Sequence, residues 1–141
     1  MIKTIFYEKF KNCEHIFLGD RNIFGIDTRF YHSGESEVIA VFQPDIIFQG
    51  YPGRLHGGIA AAVLDETIGR AICIQNKGIW CVTVELGLVY RKPAPTGVEL
   101  MAFGRVTNES RRFFDGNGEL LLPDGTVAVE AKGKFFRINQ D

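Results

Sequence analysis

The sequence predicts an α+β fold in which one strongly curved antiparallel β-sheet wraps around a single long central helix. Three observations carry that prediction. The stretch from Gly58 to about Gln75 is dominated by Ala, Leu, Ile, Val, Glu and Arg and holds no proline, the composition of a helix. Four runs rich in β-branched and aromatic residues follow it, at roughly 81 to 91, 98 to 107, 111 to 122 and 126 to 138. The helix is also apolar nearly all round: Ala60, Ala61, Leu64, Ile68, Ala71 and Ile72 share one broad arc, and Ile59, Val63 and Ile74 extend it. A helix of that kind belongs inside a sheet.

Taken in order, residues 1 to 22 are mixed in pattern and form an N-terminal arm with no element assigned. Strand-like alternation begins at Phe24 and runs to Tyr31; His32-Ser33-Gly34-Glu35 reads as a turn and Glu37 to Phe42 as the returning strand of a β-hairpin. Gln43 to Leu55 holds Pro44, Gly50, Pro52 and Gly53, a punctuated loop leading into the helix. Gly78 stops the helix. Lys92 to Gly97, Asn108-Glu109-Ser110 and Pro123-Asp124-Gly125 supply turn chemistry between antiparallel neighbours. Asp115-Gly116-Asn117-Gly118 is either a turn of its own or a glycine-softened stretch within a strand, and a continuous strand matches the length of its neighbours.

Composition bounds the function. The 141 residues, 45% of them apolar, suit one domain with one core. A formal net charge of -1 lacks the basic surplus that binding a nucleic-acid backbone requires. Cys13, Cys73 and Cys81 are odd in number and show no C-x-x-C spacing, which argues against a disulfide framework or a metal site and for a reducing compartment. Lys3, Glu8, Lys9 and Lys11 interrupt the N-terminus, and no apolar run approaches the roughly 20 residues of a membrane span, so the expected location is cytoplasmic.

The polar residues of the helix need separate explanations. Glu66 and Arg70 stand at i and i+4 with the acid nearer the N-terminus, the favourable order for an ion pair. Asp65 projects at about the angle of Gly58, Ala61, Ala62, Gly69 and Ile72, with no basic residue three or four positions away. A carboxylate among small and apolar neighbours is either hydrogen-bonded across an interface or used in chemistry. At the helix start, His56-Gly57-Gly58 presents unsatisfied backbone N–H groups at the positive end of the helix dipole, where glycine permits close approach by an oxyanion. Tight helix packing is the alternative use of such glycines, and a structural hydrogen bond the alternative use of such a histidine.

The run from Gly50 through Leu55-His56-Gly57-Gly58 to Leu64-Asp65-Glu66 resembles the signature of hotdog-fold acyl-CoA thioesterases, in the phenylacetyl-CoA and hydroxybenzoyl-CoA thioesterase branch. The similarity continues through Val82 to Pro93 and Gly125 to Gly133, and covers roughly residues 24 to 138. It implies the hotdog fold and hydrolysis of an acyl-CoA, or of an acyl-carrier-protein thioester, to a free acid and a thiol, with no metal or redox cofactor. Residue by residue, it implies Asp65 as general base or nucleophile, a Gly57 or Gly58 N–H assisted by His56 as the oxyanion hole, and Thr83 as a hydroxyl that positions water. Some members of the family carry an asparagine six residues before the motif histidine. This chain has Gly50 there, with Gln49 as its neighbouring substitute. Arg91, Lys92, Arg111 and Arg112 are the candidate contacts for CoA phosphates. The resemblance further implies a homodimer or homotetramer whose active sites are shared between subunits. A non-catalytic acyl-CoA sensor and a hotdog hydratase or dehydratase are the rival functions; the first would be expected to add a DNA-binding segment, and no helix-turn-helix pattern is visible.

Overall fold

The computed structural model of the chain describes residues 2–4, 17–19, 22–33, 37–76 and 79–139. The elements are β1 (Ile2–Thr4), β2 (Thr28–Ser33), β3 (Glu37–Phe42), a 3-10 turn (Ile46–Phe48), α1 (Gly57–Gln75), β4 (Ile79–Tyr90), β5 (Leu100–Glu109), β6 (Phe113–Leu121) and β7 (Val127–Asn139). The seven strands form one sheet in the order β1-β2-β3-β5-β6-β7-β4, every neighbouring pair antiparallel. One helix against one wrapped antiparallel sheet is the architecture expected from the sequence.

The helix lies close to the sheet because the sheet is smooth beneath it. A Cβ added at Gly104 would come within 2.7 Å of the Thr67 backbone, and one at Gly116 within 2.4 Å of Ile68 Cγ2. Two consecutive residues of α1 thus press into a row of glycines on β5 and β6. Around that contact Val63, Leu64, Ile68, Ala71 and Ile72 are buried against Phe30, Phe42, Phe114, Leu120 and Phe135. Each large side chain so buried contributes about 1.5–3 kcal/mol. Thr67, buried among them, donates its hydroxyl to Val63 O at 2.6 Å, so its own polar atom is satisfied.

The structure differs from the sequence expectation in several places. The first strand of the hairpin starts at Thr28 rather than Phe24: Gly25 N–H turns back to Asn22 O and Ile26 N–H to Phe17 O, so Ile23 and Phe24 stay exposed. His32 and Ser33 belong to β2 instead of a turn, while Gly34, Glu35, Gly78 and Cys13 lie outside the described residues. Within the N-terminal arm, Ile2–Thr4 pair with β2. The loop from Gln43 holds a 3-10 turn capped by Asp45, whose carboxylate accepts from Ile47 N–H at 3.0 Å. Asp115 to Gly118 run inside β6. One flank of α1 is open in the single chain, with Gly58 exposed and Ala61, Ala62, Asp65 and Gly69 only partly covered, although the helix is apolar nearly all round.

Candidate functional site

The loop before α1 is pinned to the connection between β4 and β5 and to its own 3-10 turn. Leu55 N–H donates to Ala94 O at 2.8 Å, Gly97 N–H to Pro44 O at 2.8 Å and His56 N–H to Phe48 O at 2.9 Å. Gln49 Oε1 accepts from Gly53 N–H at 3.0 Å, and Gly50 N–H donates to Arg54 O at 2.8 Å, so both residues help to hold the turn 49–54. Gly50 also lies beside His56: a Cβ there would sit 3.4 Å from His56 Cα.

His56 is the N-cap of α1, in extended backbone conformation, and its Nδ1 accepts from Gly58 N–H at 2.9 Å. The ring folds back over the helix start only because Gly58 has no side chain; a Cβ would meet His56 Nδ1 and Cε1 at 3.0 Å. The first-turn donors are thereby divided. In this arrangement Gly58 N–H is committed to His56. Among the described residues Gly57 N–H has no acceptor. It remains available at the positive end of a 19-residue helix.

Two turns further on, Asp65 Oδ1 accepts the hydroxyl of Thr83 on β4 at 2.7 Å. The carboxylate is only partly buried, and its neighbour Cys81 feels it: burial above all, then the charges of Cys73, Asp65 and Glu66, push the Cys81 thiol up to about 12. Glu66 pairs with Arg70 at 2.6 Å, as the i, i+4 spacing predicts, and the Arg70 guanidinium lies 4.0 Å from the centre of the Phe30 ring.

Tyr90, which the sequence pattern did not single out, closes the other side of the helix start. Its hydroxyl donates to Gly57 O at 2.6 Å, and its ring packs so closely that a Cβ on Gly57 would lie 3.3 Å from Cε1, Cζ and Oη. Alternation along β4 hides it, because Thr83 and Tyr90 are an odd number of residues apart and a regular strand would send them to opposite faces. The register shift between Thr83 and Glu85 inverts the phase, so both reach α1. In the sequence its mark is a phenol at the end of the strand that follows the helix, which in the fold faces the glycine pair.

The four basic candidates divide into two groups. Arg91 and Lys92 follow β4, donate their N–H groups to Ala128 O, and border an open cleft of about 260 Å³ shared with Leu55, Gly57, Ala60 and Tyr90. Arg91 is paired with Glu130 at 3.0 Å. Arg111 and Arg112 lie in the turn between β5 and β6, where Arg112 O accepts from Arg137 N–H. Arg137 is opposite Cys81, whereas Val129 is opposite Tyr90, so the two groups sit on the order of 26 Å apart along β7 and form no single cluster in one chain. Among the described residues there is no group of three or more His, Cys, Asp or Glu placed to hold a metal ion, and no helix long and apolar enough to cross a membrane.

The chain and its fold have counterparts among known proteins. A family model for the thioesterase superfamily matches residues 52–129, more than half of the chain. The acyl-coenzyme A thioesterase THEM4 of Mus musculus is 27% identical over 113 residues, which are 79% of this chain and 48% of that protein. The Xenopus laevis THEM4 is 28% identical over 110 residues, 77% of this chain and 49% of that one. The chain spans about half the length of these curated relatives. A solved thioesterase superfamily protein superposes with a TM-score of 0.77 at 27% identity, covering 83% of this chain and 60% of that chain. Zebra fish thioesterase superfamily member 2 superposes with a TM-score of 0.75 at 17% identity, covering 87% and 89% of the two chains.

Proposed function

The chain belongs to the thioesterase superfamily and has its hotdog fold, and from that premise we propose that it hydrolyses an acyl-CoA thioester to a free acid and CoA at a site shared between two copies of the chain. One observation carries the proposal. The free Gly57 N–H and the Asp65 carboxylate are eight helical residues apart, about 12 Å along the axis, too far to serve one carbonyl group. Two antiparallel copies of α1 crossing at Ala61 bring Gly57 of one helix level with Asp65 of the other, because Ala61 lies midway between them. The small residues there, Gly58 exposed and Ala61 and Ala62 partly covered, suit that close approach. β4 supports the same pairing: it is the last strand of the sheet and exposes Trp80, Val82, Val84 and Val89, a combination that soluble proteins cover.

In the proposed site the thioester oxygen lies against Gly57 N–H and the His56 ring. Asp65, held by Thr83 through one carboxylate oxygen, uses the other on the reacting carbon. As general base it takes a proton from water while the water oxygen bonds to the acyl carbon; the C–S bond then breaks and the proton passes to the departing thiolate. As nucleophile it bonds to the carbon itself while the C–S bond breaks and the thiolate leaves; water then cleaves the resulting anhydride, its hydroxyl going to the acyl carbon, its proton to the thiolate, and the Asp65 carboxylate being restored. Both routes give acid and thiol from thioester and water. The aryl-acyl branch that the sequence resembles makes phenylacetyl-CoA and hydroxybenzoyl-CoA the first substrates to test, beside short, medium and long alkyl acyl-CoAs. Thiol release from any of them supports the proposal. Tight acyl-CoA binding without thiol release from the whole panel would overturn it in favour of a sensor.

A further inference from the structure

We infer that Tyr90 is a positioning residue that holds His56 in its working tautomer and orientation through the peptide group between Gly57 and Gly58. The inference deepens the proposed function and rests on that assignment of His56. Three groups are joined in series. Tyr90 Oη donates to Gly57 O at 2.6 Å. That oxygen and Gly58 N–H are the two ends of one amide. Gly58 N–H donates in turn to His56 Nδ1 at 2.9 Å.

The physics of such a series is directional. A donor on an amide oxygen draws electron density toward it and makes the N–H at the other end a stronger donor, so consecutive bonds reinforce one another. The phenol therefore tightens the bond that Gly58 makes to the imidazole. A neutral histidine whose Nδ1 accepts must carry its proton on Nε2, at the tip of the ring. His56 is thus fixed as an Nε2–H donor, one residue before the free Gly57 N–H, and in the proposed site the oxyanion meets two donors set in advance.

The two glycines of the motif are sized for this arrangement. Gly57 admits the Tyr90 ring, where a Cβ would lie 3.3 Å from three of its atoms, and Gly58 admits the His56 ring, where a Cβ would lie 3.0 Å from two. Close packing of glycine on a helix start would by itself require neither hydrogen bond. Partial burial also raises the Tyr90 pKa above its ordinary value, which keeps the phenol protonated, and hence a donor, across the working range of pH.

Tyr90→Phe tests this, since it removes the hydroxyl and keeps the ring that packs on Gly57. Two readouts are taken on the full-length protein: thioesterase kinetics on the best substrate of the panel, and nitrogen and amide-proton NMR of His56 and Gly58. The expected result is a fall in kcat on the order of 10-fold, smaller than the loss of a whole oxyanion donor, with KM changed by less than about twofold. The Gly58 amide proton should move upfield, and the Nδ1–H tautomer of His56 should become visible. Unchanged Gly58 and His56 resonances in a folded Tyr90→Phe protein would overturn the inference, whatever the rate. The spectroscopic arm needs no turnover, so a wild-type protein that releases no thiol, together with these shifts in Tyr90→Phe, would refute hydrolysis and retain the Tyr90 coupling.

Discussion

Thr83 on β4 donates its hydroxyl to Asp65 Oδ1 on α1 at 2.7 Å, joining two residues 18 positions apart. The bond occupies one carboxylate oxygen and leaves the second free to act on water or on carbon. It also aims the donor side of the hydroxyl at the acid, so the lone pairs of Thr83 are left to accept from a water molecule. Thr83→Val keeps the shape and the β-branch while removing this bond. We expect turnover to fall about 10-fold or more with the fold intact, and Thr83→Ser to recover most of it. Full turnover in Thr83→Val, measured by thiol release, would make Thr83 a strand former and nothing else.

Asp65→Asn keeps size and the contact with Thr83 but removes the charge that either route requires. Turnover should fall by at least about 10²-fold, with acyl-CoA binding largely preserved. Glu66→Gln is the control on the neighbouring residue. It loosens the pair with Arg70 and should lower stability by about 0.5 kcal/mol while sparing activity. The opposite pattern, Asp65→Asn active and Glu66→Gln dead, would move the reacting acid by one residue.

Much of this was legible in the sequence because it follows from local rules. The helix from Gly58, the ion pair of Glu66 with Arg70 and the four later strands all declare themselves through composition and spacing, and the loop glycines mark the turns. The rest depends on tertiary contacts that no local pattern encodes. The false start of the first strand at Phe24 comes from alternation continuing into a turn that Phe17 O closes. Tyr90 was hidden by a register shift near Thr83 that inverts the facing of everything after it. The commitment of Gly58 N–H to His56 depends on a side-chain rotamer. Gly116, ambiguous as turn or strand, proves to be the place where Ile68 meets the sheet.

Gly116→Ala should therefore destabilise the protein even though alanine suits a strand no worse than glycine. The new Cβ would sit 2.4 Å from Ile68 Cγ2 and 2.8 Å from the Arg105 carbonyl oxygen. Ile68 can shift but the backbone of β5 cannot easily do so, and overpacking of this kind costs about 1–3 kcal/mol. Urea unfolding measures it. A midpoint equal to the wild type would mean that the helix sits farther from β6 than described.

The Cys81 thiol, moved from an ordinary value of 9.0 to about 12, stays protonated at neutral and mildly alkaline pH. The thiolate is the reactive form, so at pH 8 Cys81 should alkylate about 10³-fold more slowly in the native protein than in urea. Peptide-resolved mass spectrometry after a timed pulse of iodoacetamide reads this directly. Equal rates in the two states would show that Cys81 is not shielded beside Asp65 and Cys73, and the packing of β4 on α1 would need revision.

The proposal of a site shared between two copies makes a prediction that no single-chain site can imitate. His56→Ala leaves Asp65 intact and Asp65→Asn leaves the helix start intact, so each homodimer carries two damaged sites. Mixing the two variants and allowing subunits to exchange makes about half of the dimers hybrid. In a hybrid, one site takes His56 and Gly57 from the Asp65→Asn chain and Asp65 from the His56→Ala chain, and is whole; the other site carries both lesions. About a quarter of all sites should then be restored, and thiol release should rise to about a quarter of the wild-type rate from the far lower rates of the separate variants. Ala61→Glu supplies the control: a residue at the crossing point of a two-fold axis meets its own copy, so the substitution sets like charges face to face and should give folded, inactive monomers. If exchange is demonstrated by mass spectrometry and the mixture is no more active than its components, the reacting groups belong to one chain, and the 12 Å separation of Gly57 from Asp65 would have to be bridged in another way.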